Sequence, residues 1–204
     1  MTEENVYVPK IKMIFAFTAD DNVFGNANGL PWSQHIKKDM EMFKQFTSDC
    51  ILVMGRSTFE SLPVKLRGLP HFVISSKPIE EIINQKGQQP DYVGSNIEDV
   101  SFEAATSCVY NHTVSGTKMD ICIIGGAGVL LEAAEFVDEA LLTEVYFRSE
   151  EKRYYDAPVY IDVPAIEKAL SESPFISLED TKEMTYKVPD GEVEKLIFTK
   201  YTSG

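Results

Sequence analysis

Five short apolar runs fix most of what this chain can become. Residues 11–19 (IKMIFAFTA), 50–54 (CILVM), 71–76 (HFVISS), 120–124 (DICII) and 140–148 (ALLTEVYFR) are rich in β-branched and aromatic side chains. They are short for helices and lack strict polar alternation, so they suit strands buried on both faces. Residues 35–47 between the first two runs have helical period, and Pro63 and Gly68 leave room for only a short helix after Gly55. Another helix is expected from Gly126 to about Phe136. The polar stretch 78–119 is read as helices over 79–86 and 97–110 with a short strand, Tyr-Val-Gly, at 92–94. Strands alternating with helices imply a mostly parallel sheet covered on both faces. After Arg148 the helical pattern gives out. Segments 173–187 and 192–202 then form an antiparallel pair at the sheet edge, joined near Pro189-Asp190-Gly191. No linker interrupts the chain, so the expectation is one α/β domain over 11–204 after an N-terminal extension, 1–10.

Charge narrows the function. The net charge of −13 argues against a nucleic-acid surface, which needs a clustered basic face. No apolar run reaches the roughly 18 to 20 residues of a membrane span, and the polar, acidic start does not resemble a signal peptide. Cys50, Cys108 and Cys122 lack metal-type spacing and read as reduced, buried thiols of a cytoplasmic protein. His35, His71 and His112 also lack ligand spacing, so no metal site is expected.

The helix over 35–47 carries a carboxylate where an apolar residue belongs. With successive side chains about 100° apart, Met40, Phe43 and Phe46 fall near Ile36, and Lys37, Lys38, Glu41, Lys44 and Gln45 fall opposite. Asp39 lies between Phe43 and Phe46, inside the apolar arc. Burial there raises its pKa and costs several kcal/mol unless something binds it. Either Asp39 is satisfied by backbone or a structural water, or it is a pocket carboxylate awaiting the N–H donors of a flat heterocycle.

Two strand ends have phosphate-type chemistry: Gly55-Arg56-Ser57-Thr58, and Gly125-Gly126-Ala127-Gly128 followed by Val129. Glycine allows the tight turn, and a helix N-terminus presents free N–H groups. Neither is a full dinucleotide fingerprint, and each alone could be a plain turn. Together they suit a nucleotide with more than one phosphate. Ser75-Ser76-Lys77, with Arg56, could hold a 2′-phosphate, which favours NADPH over NADH. The loop from Asp20 to Trp32 holds Gly25, Gly29 and Pro31-Trp32; long loops of this kind are either connectors or lids.

These pieces, in order and spacing, resemble dihydrofolate reductase: IKMIFAFTADDNVFG, NGLPW, KKDMEMFK, ILVMGRSTFESLP, HFVISS, ICIIGGAGVLLEAA and LLTEV. The resemblance covers most of 11–148 and implies a central eight-stranded mixed sheet. It also implies a reaction of tetrahydrofolate biosynthesis in one-carbon metabolism. NADPH would reduce 7,8-dihydrofolate by hydride transfer to pterin C6, with water-mediated protonation of N5. By resemblance Asp39 binds the pterin edge, Trp32 orders a nearby water, Thr143 bonds the carboxylate and Leu30 belongs to the mobile lid. Ile14, Ala16, Met40, Phe43, Ser61, Leu62 and Ile124 would contact substrate. The cofactor would meet Ala16, Gly25, Asn28, Gly55, Arg56, Ser57, Thr58, Ser75, Ser76 and Lys77, then Gly125, Gly126, Ala127, Gly128 and Val129. Gly125 and Gly126 match glycines joined in the family by a cis peptide, and Tyr155-Asp156 matches a loop that steadies the lid. A monomer, open to antifolate inhibitors and without nucleic-acid or membrane partners, is expected.

The main departure is Leu66-Arg67-Gly68-Leu69-Pro70, where the family reads Leu-Pro-Gly-Arg. Leu69 replaces the arginine that clamps the substrate's glutamate, and Arg67 or Lys44 is the expected substitute. Leu130 stands where a tyrosine is common. A pyrimidine reductase of riboflavin synthesis would share fold and NADPH but not Pro31-Trp32 with a buried Asp39. A non-catalytic binding protein on the same fold is the alternative from another class.

Overall fold

The computed structural model describes residues 7–27, 29–32, 35–149 and 153–203. Asn28 and the acidic pair Glu150-Glu151 lie outside the described residues. In chain order the elements begin β1 (Ile11–Thr18), β2 (Val23–Gly25), α1 (Lys37–Phe46), β3 (Cys50–Gly55), α2 (Arg56–Ser61), β4 (His71–Ile74), β5 (Tyr92–Gly94) and α3 (Ile97–Ser115). They continue with β6 (Asp120–Gly125), α4 (Ala127–Ala133), β7 (Glu139–Phe147), β8 (Val159–Tyr160), α5 (Val163–Glu172), β9 (Ser177–Lys187) and β10 (Val193–Thr202).

Eight strands form one sheet in the order β5-β4-β3-β6-β1-β7-β10-β9. The pairs from β5 across to β7 are parallel, and β10 runs antiparallel to both β7 and β9. This is the expected sheet with its antiparallel edge. Alternate residues of the central strands feed two cores. On one face Met13, Phe15, Phe17, Ile51, Val53, Ile121 and Ile123 pack under α3, α4 and α5. On the other, Ile14, Leu52, Met54, Cys122, Leu141 and Val145 meet Trp32, Ile36, Phe43, Phe46 and Phe59. All three cysteines are free and buried, as read from the sequence.

Four local expectations are corrected. Residues 79–86 are not a helix. Only Ile79–Glu81 forms a 3-10 turn, and the Asn84 side chain then accepts the N–H groups of Lys86 and Gln88 at 3.0 and 2.9 Å. A side chain that bonds its own neighbouring backbone competes with helix propagation. Beyond Arg148 a helix does form. Asp162 caps α5 by accepting the Ala165 N–H at 3.1 Å, Pro164 sits in the first turn, and Val163, Ile166 and Leu170 are buried. The loop after β1 is not wholly irregular, because β2 pairs with β8 in a second, two-stranded sheet. Finally, the Gly125–Gly126 peptide is trans, as are all others described; the turn is made by Gly126 at φ 82°, a region open to glycine without a Cβ penalty.

Residues 7–10 are tied to the start of β6. Tyr7 Oη donates to the Met119 carbonyl at 2.6 Å, and the Lys10 N–H donates to Asp120 at 3.0 Å.

Candidate active site

The parallel strands β1, β3, β4, β5, β6 and β7 end on one edge of the sheet, the edge at which ligands bind in open α/β folds. Gly55 at the end of β3 pairs with Ile74 of β4, which pairs with Gly94 of β5. Met54 aligns with Gly125 of β6 after a register shift. The two glycine turns face each other closely. A Cβ on Gly126 would lie 3.6 Å from the Gly55 Cα, and one on Gly125 would come within 2.8 Å of Thr58 Cγ2 and 2.9 Å of its Oγ1. Side chains are excluded there, so backbone N–H groups of both helix starts can approach a ligand.

Ser57 is exposed and Thr58 half-buried in α2, with Ala127 and Val129 half-buried and Gly128 exposed in α4. Next to them, Ser75, Ser76, Lys77, Tyr92, Gly94 and Ser95 line a cavity of about 580 Å³. The fold therefore gathers the three hydroxyl- or glycine-bearing strand ends that the sequence singles out. It adds Ser95, which closes β5 with the same signal but was not singled out. Arg56 is engaged by its own helix: its Nη1 bonds both carboxylate oxygens of Glu60, at 3.0 and 2.8 Å.

Asp39 lies in the first turn of α1. Ile36 is 5% exposed, and Met42, Phe43 and Phe46 pack onto the core while Lys37, Glu41, Lys44 and Gln45 face solvent. Met42 joins the inward face in addition to the expected residues, and Met40 is half-buried. Burial pushes the Asp39 carboxyl up to about 6. The helix N-terminus favours a carboxylate, yet desolvation prevails. No cation or hydrogen-bond donor reaches this side chain among the described residues.

Ile14 and Ala16 of β1 and Ile124 of β6 share one apolar cluster with Phe43 and Phe46 of α1, and Leu62, Leu66 and Leu69 pack into it from the loop after α2. Trp32 is 5% exposed in that cluster. Thr143 is buried on β7 opposite Ala16; no hydrogen bond joins it to Asp39 among the described residues. Ser61 is exposed, its hydroxyl donating to the Thr58 carbonyl at 2.7 Å. Arg67 and Lys44 are exposed and make no ion pair among the described residues.

The segment between β1 and α1 is tied down at its root. The Val23 N–H donates to Thr18 Oγ1 at 2.8 Å, Val23 pairs with Tyr160, and the Ala27 N–H donates to the Asp156 carbonyl at 2.8 Å. Its tip turns between Asn26 and Gly29, where Gly25 and Gly29 lie, and Leu30 beyond it is 51% exposed. Among the described residues, no helix is long and apolar enough to cross a membrane, and no group of three or more His, Cys, Asp and Glu could hold a metal.

Glycine cradles along the carboxyl edge, with an acid that has no partner among the described residues beside the neighbouring apolar cluster, suit a nucleotide-dependent α/β oxidoreductase. Comparison with known proteins makes the class specific. The family model for dihydrofolate reductase matches residues 10–160, and the chain belongs to that family. It is 33% identical over 165 residues to dihydrofolate reductase type A10 of Escherichia coli, covering 79% of this chain and 78% of that one. To the dihydrofolate reductase of Bacillus subtilis it is 29% identical over 152 residues, with 71% and 74% covered. Among solved structures, Enterococcus faecalis dihydrofolate reductase, complexed with NADP(H) and RAB-propyl, superposes with a TM-score of 0.61 at 19% identity, over 96% of each chain.

Proposed function

We propose that the chain reduces 7,8-dihydrofolate to 5,6,7,8-tetrahydrofolate with NADPH, using Asp39 as the acid that binds the pterin and feeds its protonation. The observation that carries this reading is a desolvated carboxyl without a partner among the described residues, raised to about 6, on a helix packed against an apolar cluster. A group left in that state is costly to the fold, and a heterocycle with adjacent N–H donors would satisfy it.

The residues present fit the cofactor. Gly55, Gly125 and Gly126 leave room for a pyrophosphate against two helix starts, with Ser57, Thr58 and Ala127 to Val129 beside it. The cavity by Ser75, Ser76 and Lys77 suits a phosphorylated adenosine. NADPH, when bound, supplies the hydride. Arg56 is then shared between Glu60 and the 2′-phosphate.

The chain's own residues do the rest. Ile14, Ala16, Phe43, Leu62 and Ile124 exclude water around the pterin, which strengthens every charge–dipole contact inside. Asp39 accepts the N–H groups of the aminopyrimidine edge. A water beside Trp32 carries the proton to N5, and Thr143 steadies the carboxylate once substrate is in place. Leu30 and Gly25, on the segment rooted at Asp156, cover the reacting face. Leu69 is half-buried among leucines, so the substrate's glutamate falls to Arg67, whose guanidinium is exposed and makes no ion pair among the described residues.

Absorbance at 340 nm, followed with dihydrofolate and with the pyrimidine intermediate of riboflavin synthesis, tests the substrate. Asp39→Asn is expected to keep NADPH binding and lose about 10² to 10⁴-fold in kcat, the usual worth of a positioned acid. Near-normal kcat/KM at neutral pH in that variant would reject the role of Asp39.

A further inference from the structure

His71 opens β4 with its side chain fully buried. Its Nε2 accepts the N–H of Leu66 at 3.1 Å, so in the neutral ring the proton sits on Nδ1. That second nitrogen is buried without a hydrogen-bond partner, and Asp91 Oδ2 stands 4.0 Å away. The same oxygen already accepts the His71 backbone N–H and pairs with Lys65 Nζ, each at 2.7 Å. Phe59 stacks edge-on against the imidazole, with centroids 6.0 Å apart. A polar ring held this deep with one nitrogen unsatisfied is costly unless its other bond matters.

That other bond grips the base of a tight turn. The Leu69 N–H donates to the Leu66 carbonyl at 3.3 Å, and Gly68 has φ 82°, the arrangement of a turn with Arg67 and Gly68 at its two central positions. Leu66 is thus held twice: its carbonyl by Leu69, its N–H by His71. Arg67 is the next residue.

We propose that His71 is a positioning residue for the substrate's glutamate tail: it fixes the Leu66–Leu69 turn and thereby aims the Arg67 guanidinium. The proposal rests on the reading of Arg67 as the tail clamp. Two charged groups face the ring, Lys65 from the loop and Asp91 from the approach to β5. Burial, followed by the Lys65 ammonium, holds the His71 pKa below the usual histidine range, so the ring is neutral at neutral pH. Protonation in acid would set an N–H against the Leu66 N–H and release the turn.

The test compares KM for dihydrofolate with KM for 7,8-dihydropteroate, which lacks the glutamate. His71→Leu is expected to raise KM for dihydrofolate about fivefold, the worth of one hydrogen bond, with kcat and the KM for dihydropteroate unchanged. His71→Gln keeps an acceptor and should retain the preference for the tail. It should also retain it in acid, where the unsubstituted protein loses it. Equal weakening of both substrates, or an unchanged preference in folded His71→Leu, overturns the proposal. Should His71→Leu fail to fold, the acid response of His71→Gln decides, and a response like that of the unsubstituted protein overturns it. Arg67→Ala runs in parallel. Unchanged preference there removes the clamp and the proposal with it. Lost preference there, but not in His71→Leu, removes only the role of His71.

Discussion

Carboxylates lie half-buried near both ends of the parallel strands, and they behave oppositely. Near the amino ends, Asp120 accepts the Lys10 N–H at 3.0 Å and the Tyr7 hydroxyl at 3.1 Å and pairs with Lys12 Nζ at 3.0 Å. Glu139 is held between Lys10 at 2.8 Å and Lys200 at 3.2 Å. Burial alone would raise both, but the donors and ammonium groups outweigh it and hold both below their ordinary range. Asp39, on α1 near the other end, is more deeply desolvated, has no compensating group among the described residues and rises to about 6. Burial pushes all three carboxyls upward, so it does not set the sign of the shift. Partners do, and a missing one leaves a deficit that a ligand can fill.

The comparison breaks first on rate against pH. If Asp39 must carry a proton in the free enzyme, kcat/KM falls about tenfold per pH unit above 6, or about 100-fold between pH 7 and 9. Asp39→Asn should be slow and flat over that range. A native profile without the fall would mean that Asp39 does not supply the proton.

Stability should divide the two rims by sign. A folded pKa raised from 3.8 to about 6 means that the contribution of Asp39 is fully present below pH 4 and lost as pH rises through 6. Asp39→Asn should therefore stabilise the fold by about 3 kcal/mol at pH 7.5 and by almost nothing at pH 4. The lowered pKa of Asp120 has the reverse consequence: its contribution is present above the ordinary aspartate value and lost as pH falls through the folded one. Asp120→Asn should cost about 2 kcal/mol at pH 7.5 and leave kcat alone. Urea titrations at the two pH values read both, and equal signs would dissolve the distinction.

What the sequence disclosed was what local pattern encodes. The strands and glycine ends are legible because burial on both faces and tight turns leave compositional marks. Asp39 is legible because one helix face has a fixed period. The helix α5 was written there too, in Asp162, Pro164, Ile166 and Leu170, but a polar surrounding masked it. The helix expected over 79–86 fails in the other direction, since Asn84 diverts the backbone. Pairing of Val23 with Tyr160 and the grip of His71 on Leu66 depend on register and depth, which no window of residues reports. The Arg56–Glu60 pair sat at helical spacing and was overlooked in favour of a phosphate.

The smallest expected effects come from stripping Glu139 of its lysines, and they probe the comparison most directly. Lys10 and Lys200 are 50% and 42% exposed while Glu139 is 15% exposed, so each cation gives up little to reach a buried acid. Lys10→Met or Lys200→Met alone should change stability by about 0.5 kcal/mol or less, as exposed pairs do, because the other lysine remains. Removing both reproduces at the amino rim the state of Asp39: an acid with burial and no cation. Its pKa, followed by NMR of the carboxyl carbon, should cross from below the ordinary glutamate value to above it, with kcat unmoved. If Glu139 stayed low without either lysine, partners would not be what separates the rims, and the raised Asp39 would need another cause.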